Sequence, residues 1–257
     1  TLEVIRVGQR PEDMAYERAA MKRAQAVGVQ VRQTLLPADA RPEELVAALE
    51  RVNRDDSVHG CLLFRPLPEQ LSAPGLTETL CPEKDVDAIT VGSMGGLLAR
   101  LEMGYPPCTP TACLELLRFY HIPMEGQKVA VVGKSMTVGL PTALLMMNEE
   151  ATVSVCHILS QPEDTRKLCQ QADIVISAAG CAGLIKADYV RPGQVVVDVG
   201  VNVGKDGVMR GDAAFEEVEP IVKAITPVPG GVGAITSTVL MAHVVEAAMR
   251  QNGLKEQ

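Results

Sequence analysis

The sequence predicts an α/β fold made of two βαβ domains with mainly parallel sheets. Short apolar runs alternate with helical stretches along nearly the whole chain, which is typical of βαβ units. The chain has 257 residues, more than the ~100–200 of an ordinary domain, so we expect two domains. Prolines and glycines interrupt the alternation between residues 71 and 110, and this stretch is predicted to be an irregular domain junction.

The apolar runs predict the strands, because each is short and bounded by turn residues or by a helical pattern. The predicted strands are residues 2–7, 30–36, 60–63, 128–132, 152–156, 174–177 and 194–199.

Helices are predicted between these strands. Pro42 and the two acidic residues after it suit the first turn of a helix that runs toward Asn53. Thr109 as N-cap and Pro110 in the first turn predict another helix start. A last helix is predicted over residues 237–250, and we expect it to return to the first domain.

Composition argues against a nucleic-acid partner. The formal net charge is −8, whereas a protein that binds nucleic acid without sequence preference needs a basic surface. Aromatic residues are 3% of the chain and Trp is absent, so stacking platforms for bases are not expected.

The cysteines and the apolar runs indicate a cytoplasmic protein. Seven cysteines are scattered without a C-x-x-C pair, so we expect neither a disulfide framework nor a metal site. No uninterrupted apolar run reaches the ~18–20 residues that span a bilayer, so no membrane partner is expected. The chain begins without Met, directly in a predicted strand, and we expect a natural N-terminal segment to precede it.

The turn after the 128–132 strand is the strongest local motif. Gly133 ends the strand, Ser135 lies in the turn, and Gly139 allows close packing as a helix begins. Such a turn presents free N–H groups of the helix to a phosphate. The spacing departs from G-x-G-x-x-G, so a dinucleotide site and an ordinary strand-to-helix turn both remain open.

The next strand bears on cofactor choice. His157 and Ile158 follow it, with no acidic residue to bind the ribose diol of NAD. Lys134 could instead bind the 2′-phosphate of NADP, and the alternative is an exposed loop lysine. His157 is either a cofactor contact or an ordinary loop residue.

A second glycine-rich segment covers residues 226–236. Two prolines stiffen it, and Gly230, Gly231 and Gly233 leave backbone groups uncovered before a helix. A ligand could therefore contact the main chain, whereas the alternative is a structural turn. Three glycines within four residues favour a function.

Several motifs occur here in the order and spacing of one family. They are Tyr16, Val58-His-Gly60, Pro66-Leu-Pro68, Pro82-Glu-Lys-Asp-Val-Asp87, Pro107-Cys-Thr-Pro110, Val132-Gly-Lys-Ser135, Val138-Gly139, Pro141, Val197-Asp-Val-Gly200 and residues 226–233. On these motifs the chain resembles the methylenetetrahydrofolate dehydrogenase/cyclohydrolase family from end to end, apart from the opening helix of that family.

The resemblance implies a folate-binding domain over residues 1–120, completed by 237–257, and a Rossmann-like NAD(P)-binding domain over 121–236. It implies hydride transfer from 5,10-methylenetetrahydrofolate to NAD(P)+ and a homodimer. Lys134 and the absence of an acidic residue after the 152–156 strand favour NADP, with NAD possible. Tyr16 and Asp87 are the implied catalytic residues. The implied substrate-binding residues are Tyr16, Phe64, Asp87, Pro229, Gly230 and Gly231. The implied cofactor-binding residues are Gly133, Lys134, Ser135, Val138, Gly139, His157, Gly233 and Thr236.

The chain departs from the family at two cyclohydrolase positions. Bifunctional members carry a Lys four residues after the Tyr and a Gln before Pro-Leu-Pro, where this chain has Ala20 and Phe64. Lys22 lies about 120° around the helix from Tyr16 and is not an obvious substitute. Arg65 is expected to point to the other face of a strand.

These departures favour a dehydrogenase with weak or absent cyclohydrolase activity. One alternative is a bifunctional enzyme in which another residue guides the water. The other is a folate- and nucleotide-binding protein without turnover, which the retained cofactor turn argues against.

Overall fold

The computed structural model describes residues 1–73 and 75–254, except for the side chain of Glu12. The chain forms two compact units: Thr1–Cys108 with Ser237–Gln257, and Thr109–Thr236. The sequence led us to expect boundaries at 120/121 and 236/237. The units divide after Cys108 and after Thr236, with residues 109–119 in the second unit.

Strands and helices alternate along the described residues. The strands are β1 (Leu2–Val7), β2 (Val31–Leu36), β3 (Gly60–Leu63), β4 (Lys128–Val132), β5 (Thr152–Cys156), β6 (Ile174–Ser177), β7 (Val195–Asp198), β8 (Asn202–Val203), β9 (Met209–Arg210) and β10 (Ala224–Ile225). The helices are α1 (Pro11–Val27), α2 (Pro42–Arg54), α3 (Val91–Ala99), α4 (Cys108–Phe119), α5 (Gly139–Asn148), α6 (Pro162–Gln171), α7 (Phe215–Val218) and α8 (Val232–Gln251).

The first unit contains a three-stranded parallel sheet in the order β2-β1-β3. All six residues of β1 are buried, as expected for a central strand covered on both faces. Helix α2 buries Leu45, Ala48, Leu49 and Val52, whose spacing places them on one helical face. These residues pack with Ile5 and the end of β3 in the hydrophobic core.

The second unit contains a five-stranded parallel sheet in the order β10-β7-β6-β4-β5. Strand β5 lies on one side of β4 and strand β6 on the other. The chain therefore moves in one direction across the sheet from β4 to β5 and in the opposite direction from β5 to β6. A parallel sheet with such a reversal has a crevice at the carboxyl ends of its strands, which is where ligands bind in this architecture. Strands β8, β9 and β10 were not predicted, because two-residue strands carry no periodic signal.

Three predictions about helices were wrong. Helix α3 forms inside the stretch predicted as irregular, because Thr90 caps it by accepting the N–H of Ser93 at 3.1 Å. Helix α4 begins at Cys108, so Thr109 is a helical residue and not its cap. Helix α8 begins at Val232, five residues before the predicted start.

Helix α8 is long and apolar enough to cross a membrane by length and composition alone. Half of its most apolar window is buried inside the protein, however, and a core helix of a soluble protein meets the same test. Leu240, Met241 and Val244 are buried. Gln251 donates to the carbonyl of His59, which ties the end of α8 to the first unit.

Two buried charges organise the turn before α3. Lys84 donates to the carbonyls of Val52, Asn53 and Asp55 at 2.8, 3.2 and 2.8 Å, and so caps the end of α2. The fully buried carboxylate of Asp85 accepts from the N–H groups of residues 89 and 90 and from two hydroxyls near the start of α3. Both charges are therefore satisfied by hydrogen bonds, as buried charges must be.

We predict that Lys84→Met lowers the free energy of unfolding by about 2–4 kcal/mol, because three carbonyls lose their charged donor. Denaturant unfolding followed by far-UV circular dichroism measures the change. Lys22→Met is the control, since Lys22 is exposed on α1 and its replacement should change stability by less than about 0.5 kcal/mol. Equal stability of the two variants would contradict the assigned role of Lys84.

Candidate active site

The first unit brings together three predicted substrate residues. Tyr16 lies on α1, and its ring meets that of Phe64 edge to face, with centroids 5.8 Å apart and planes at 82°. Phe64 is 7% exposed and follows the end of β3. Ala20 lies one turn after Tyr16 and is 1% exposed, so this part of α1 presents a methyl group to its surroundings.

Asp87 is held at the same site. Its Oδ1 accepts the N–H of Cys108, the first residue of α4, at 2.9 Å. Its Oδ2 lies 3.9 Å from Nη2 of Arg65. The expectation that Arg65 points away was therefore wrong: β3 ends at Leu63, so strand alternation no longer applies at residue 65.

The surroundings keep the Tyr16 hydroxyl protonated. Burial raises its pKa well above the usual value, and the charge of Asp87 raises the pKa further. Burial, followed by Asp87, likewise raises the pKa of the Cys108 thiol. At neutral pH Tyr16 is thus a neutral hydrogen-bonding group and Cys108 is an unreactive thiol.

His243, on α8, supports the turn, although no sequence pattern pointed to it. Its Nδ1 lies 3.0 Å from the carbonyl oxygen of Val86, the residue before Asp87, and burial lowers its pKa. A neutral imidazole with the proton on Nδ1 donates to that carbonyl.

In the second unit the predicted cofactor turn follows β4. Gly133 has φ +125°, and a Cβ there would overlap the carbonyl of Ala178, while one at Gly139 would overlap the carbonyl of Gly133. Only glycine fits either position. The Ser135 hydroxyl accepts the N–H groups of Val138 and Gly139 at 3.2 and 3.3 Å, so both N–H groups are hydrogen-bonded within the turn.

A cavity of about 400 Å³ opens beside this turn, at the carboxyl ends of β4 and β6. Gly133, Lys134, Ser135 and His157 line it, and Lys134 is exposed. The Nδ1 of His157 accepts the N–H of Leu159 at 3.2 Å, which fixes the ring within its own loop. Other lining residues were missed in the sequence, among them Ile158, Ser160, Ala178, Ala179, Cys181 and Leu184.

Asp212 was also missed, and it shapes one wall of this cavity. Its buried carboxylate accepts three consecutive N–H groups, from Ala179, Gly180 and Cys181, at 2.6, 3.1 and 2.8 Å. The carboxylate therefore fixes the loop after β6. In the sequence, the small residues 178–180 after an apolar strand could have indicated a loop whose main chain is exposed to a ligand.

None of the described residues 226–236 lines that cavity. Pro229 and Gly230 are exposed in the loop, whereas Gly231 is buried, and a Cβ there would overlap the carbonyl of Pro227. Gly233 and Thr236 belong to the first turns of α8, where the Thr236 hydroxyl is buried and donates to the carbonyl of Val232 at 3.3 Å.

The chain matches two family models. Residues 1–87 match the catalytic domain of tetrahydrofolate dehydrogenase/cyclohydrolase, and residues 107–252 match its NAD(P)-binding domain. The bifunctional protein FolD of Alkaliphilus metalliredigens is 44% identical over 253 residues, covering 98% of this chain and 88% of that protein.

Solved structures agree. The bifunctional enzyme FolD of Campylobacter jejuni is 39% identical, with a TM-score of 0.92 over 97% of this chain and 88% of that one. The Trypanosoma brucei methylenetetrahydrofolate dehydrogenase-cyclohydrolase, complexed with NADP cofactor and inhibitor, is 32% identical, with a TM-score of 0.91 over 97% of this chain and 86% of that one. With both family models matched and this similarity along nearly its whole length, the chain belongs to the tetrahydrofolate dehydrogenase/cyclohydrolase family.

Proposed function

We propose that the protein is an NADP-dependent 5,10-methylenetetrahydrofolate dehydrogenase with weak cyclohydrolase activity. In this proposal the first unit binds the folate through Tyr16, Phe64 and Asp87, and the second unit binds the cofactor. The observation that carries the proposal is the apolar replacement at Ala20 and Phe64 beside a retained Tyr16 and Asp87. We further propose a cytoplasmic homodimer that contacts neither nucleic acid nor membrane.

The second unit has a site that fits a dinucleotide. Gly133 and Gly139 lie where side chains would overlap backbone, so the main chain stays bare beside the cavity. Lys134 would hold the 2′-phosphate as a point charge, and the absence of an acidic residue in the 157–159 segment favours NADP over NAD. When bound, the oxidised nicotinamide supplies a hydride acceptor. The T. brucei relative in complex with NADP supports this choice.

The residues of the first unit suit hydride loss from the folate. Departure of hydride from the methylene bridge leaves a cation delocalised over two nitrogens, and no protein base has to remove a proton. Asp87 would hydrogen-bond the pterin, and its charge would favour the developing cation. The protonated Tyr16 hydroxyl and its ring would orient the folate. We propose Pro229, Gly230 and Gly231 as further substrate contacts through their main chain.

Hydrolysis of the methenyl product needs groups that this site lacks at the two substituted positions. Water must be guided onto the cation and protons must move as the ring opens, for which a positioned acid or base supplies ~10²–10⁴-fold. The buried methyl of Ala20 can do neither, and the ring of Phe64 excludes water from beside Tyr16.

The relatives named bifunctional support the alternative of a complete dehydrogenase/cyclohydrolase more than that of a non-catalytic binding protein. The intact glycine turn and cavity also argue against loss of turnover. The bifunctional alternative requires a residue other than those at positions 20 and 64 to guide water. Methenyl hydrolysis measured without cofactor separates it from the proposed function.

We predict that the wild type forms 5,10-methenyltetrahydrofolate with NADP, which is measured by the absorbance of the product. We predict that Asp87→Asn lowers kcat/KM several-fold or more. The amide keeps the size of the side chain but lacks the charge that favours the cation. Asp39→Asn, at an exposed loop position, is the control and should retain wild-type rates. No turnover by the wild type with either nicotinamide would refute the proposed function.

We predict that Lys134→Ala weakens binding of NADP by about 1.5–3 kcal/mol and leaves NAD binding nearly unchanged, because only NADP presents a 2′-phosphate to the ammonium. Isothermal titration with each cofactor measures both affinities. Lys128→Ala, at the exposed start of β4, controls for general charge. Equal losses for NADP and NAD would remove Lys134 from the phosphate site.

We predict that Ala20→Lys combined with Phe64→Gln raises methenyl hydrolysis well above the wild-type rate, whereas either change alone does little. The ammonium and the amide are expected to act as a unit, and a lone lysine opposite Phe64 would enter an apolar site that favours its neutral form. Thermal unfolding checks that each variant folds. A wild type that hydrolyses methenyltetrahydrofolate as fast as it oxidises the methylene form would contradict this assignment.

A further inference from the structure

We infer that Arg65 determines which form of the folate the first unit prefers: its guanidinium, beside Asp87, favours the neutral methylene substrate over the cationic methenyl product. The inference rests on the proposed function, since it takes Tyr16, Phe64 and Asp87 as the folate site.

The geometry places opposite charges side by side at this site. Nη2 of Arg65 lies 3.9 Å from Oδ2 of Asp87, and the two side chains are 27% and 24% exposed. At such exposure the charges are only partly screened by water. Asp87 lies close enough to Tyr16 for its charge to raise the pKa of that hydroxyl, so the guanidinium beside Asp87 is near the proposed folate site.

Other contacts hold both partners in place. The second carboxylate oxygen of Asp87 accepts the N–H of Cys108, which limits rotation of the carboxylate. Nη2 of Arg10 donates a hydrogen bond to the backbone carbonyl of Arg65 at 2.9 Å, and Arg10 also donates to the carboxylate of Asp13. These contacts hold the carboxylate of Asp87 and the main chain of Arg65, so the two charges lie close together where the ligand would bind.

The pair changes the electrostatics of the reaction. An uncompensated carboxylate would attract the methenyl cation more than the neutral substrate and would retain the product. A guanidinium 3.9 Å from that carboxylate offsets part of this attraction and leaves the remainder to favour the developing cation. Arg65 thereby favours release of the methenyl product and shortens the time in which bound product could be hydrolysed. Rapid product release would then add to the effect of Ala20 and Phe64 in keeping hydrolysis low.

The test compares two ligands that differ in charge at the ring. Isothermal titration measures the Kd of 5,10-methenyltetrahydrofolate, a ring cation, and of tetrahydrofolate, which is neutral at the ring and carries the same tail. The proteins are the wild type, Arg65→Leu, Arg65→Gln and Arg65→Lys. Arg18→Leu, at an exposed position on α1, is the control.

We expect Arg65→Leu and Arg65→Gln to bind the methenyl cation about fivefold or more tighter relative to tetrahydrofolate, because one opposing charge is removed. Arg65→Lys and Arg18→Leu should keep the wild-type ratio within about twofold. An unchanged ratio in both neutral variants, while both ligands still bind, would overturn the role of Arg65 alone. A wild type that binds neither ligand would overturn the proposed function and this inference with it.

Discussion

The buried charges of Lys84 and Asp85 are the constraint on which the site of the first unit depends. The ammonium joins the turn to the end of α2, and the carboxylate joins it to the start of α3. Burying either charge without these partners would be costly, so the hydrogen bonds hold the turn in place. Asp87 follows two residues later, and its direction is a consequence of that turn. His243, near the carboxyl end of the chain, hydrogen-bonds the carbonyl of Val86, which lies between Asp85 and Asp87.

The second unit uses buried carboxylates in the same way. Asp198, at the end of β7, accepts the N–H groups of Gly200, Asp212 and Ala213, and burial raises its pKa. Asp212 in turn fixes the loop after β6. Charged side chains thus replace secondary structure where the loops at the carboxyl ends of the strands must be rigid. A cavity wall made of main chain needs such anchors, because it has few side chains of its own to pack.

The proposed folate site would combine two kinds of change. In the proposal Tyr16 and Asp87 supply a hydrogen-bonding group and a charge suited to a cation, while Ala20 and Phe64 stand where water chemistry would require polar groups. Arg65, 3.9 Å from Asp87, is proposed to offset part of that charge. Hydride transfer chiefly requires that the folate and the nicotinamide are correctly oriented, whereas hydrolysis requires a positioned water molecule and proton transfer. Changes of this kind can therefore suppress the second reaction and leave the first in place.

The sequence by itself determined the α/β class and all the longer strands, because apolar runs and their spacing are local properties of the chain. It also predicted the Gly133 turn, since the positive φ of Gly133 and the close approach of Gly139 to the Gly133 carbonyl arise within that turn. Only the tertiary structure decided the direction of Arg65, the start of α4 at Cys108 and the role of Asp212. Each of these depends on a partner more than twenty residues away, so no local pattern could have revealed it.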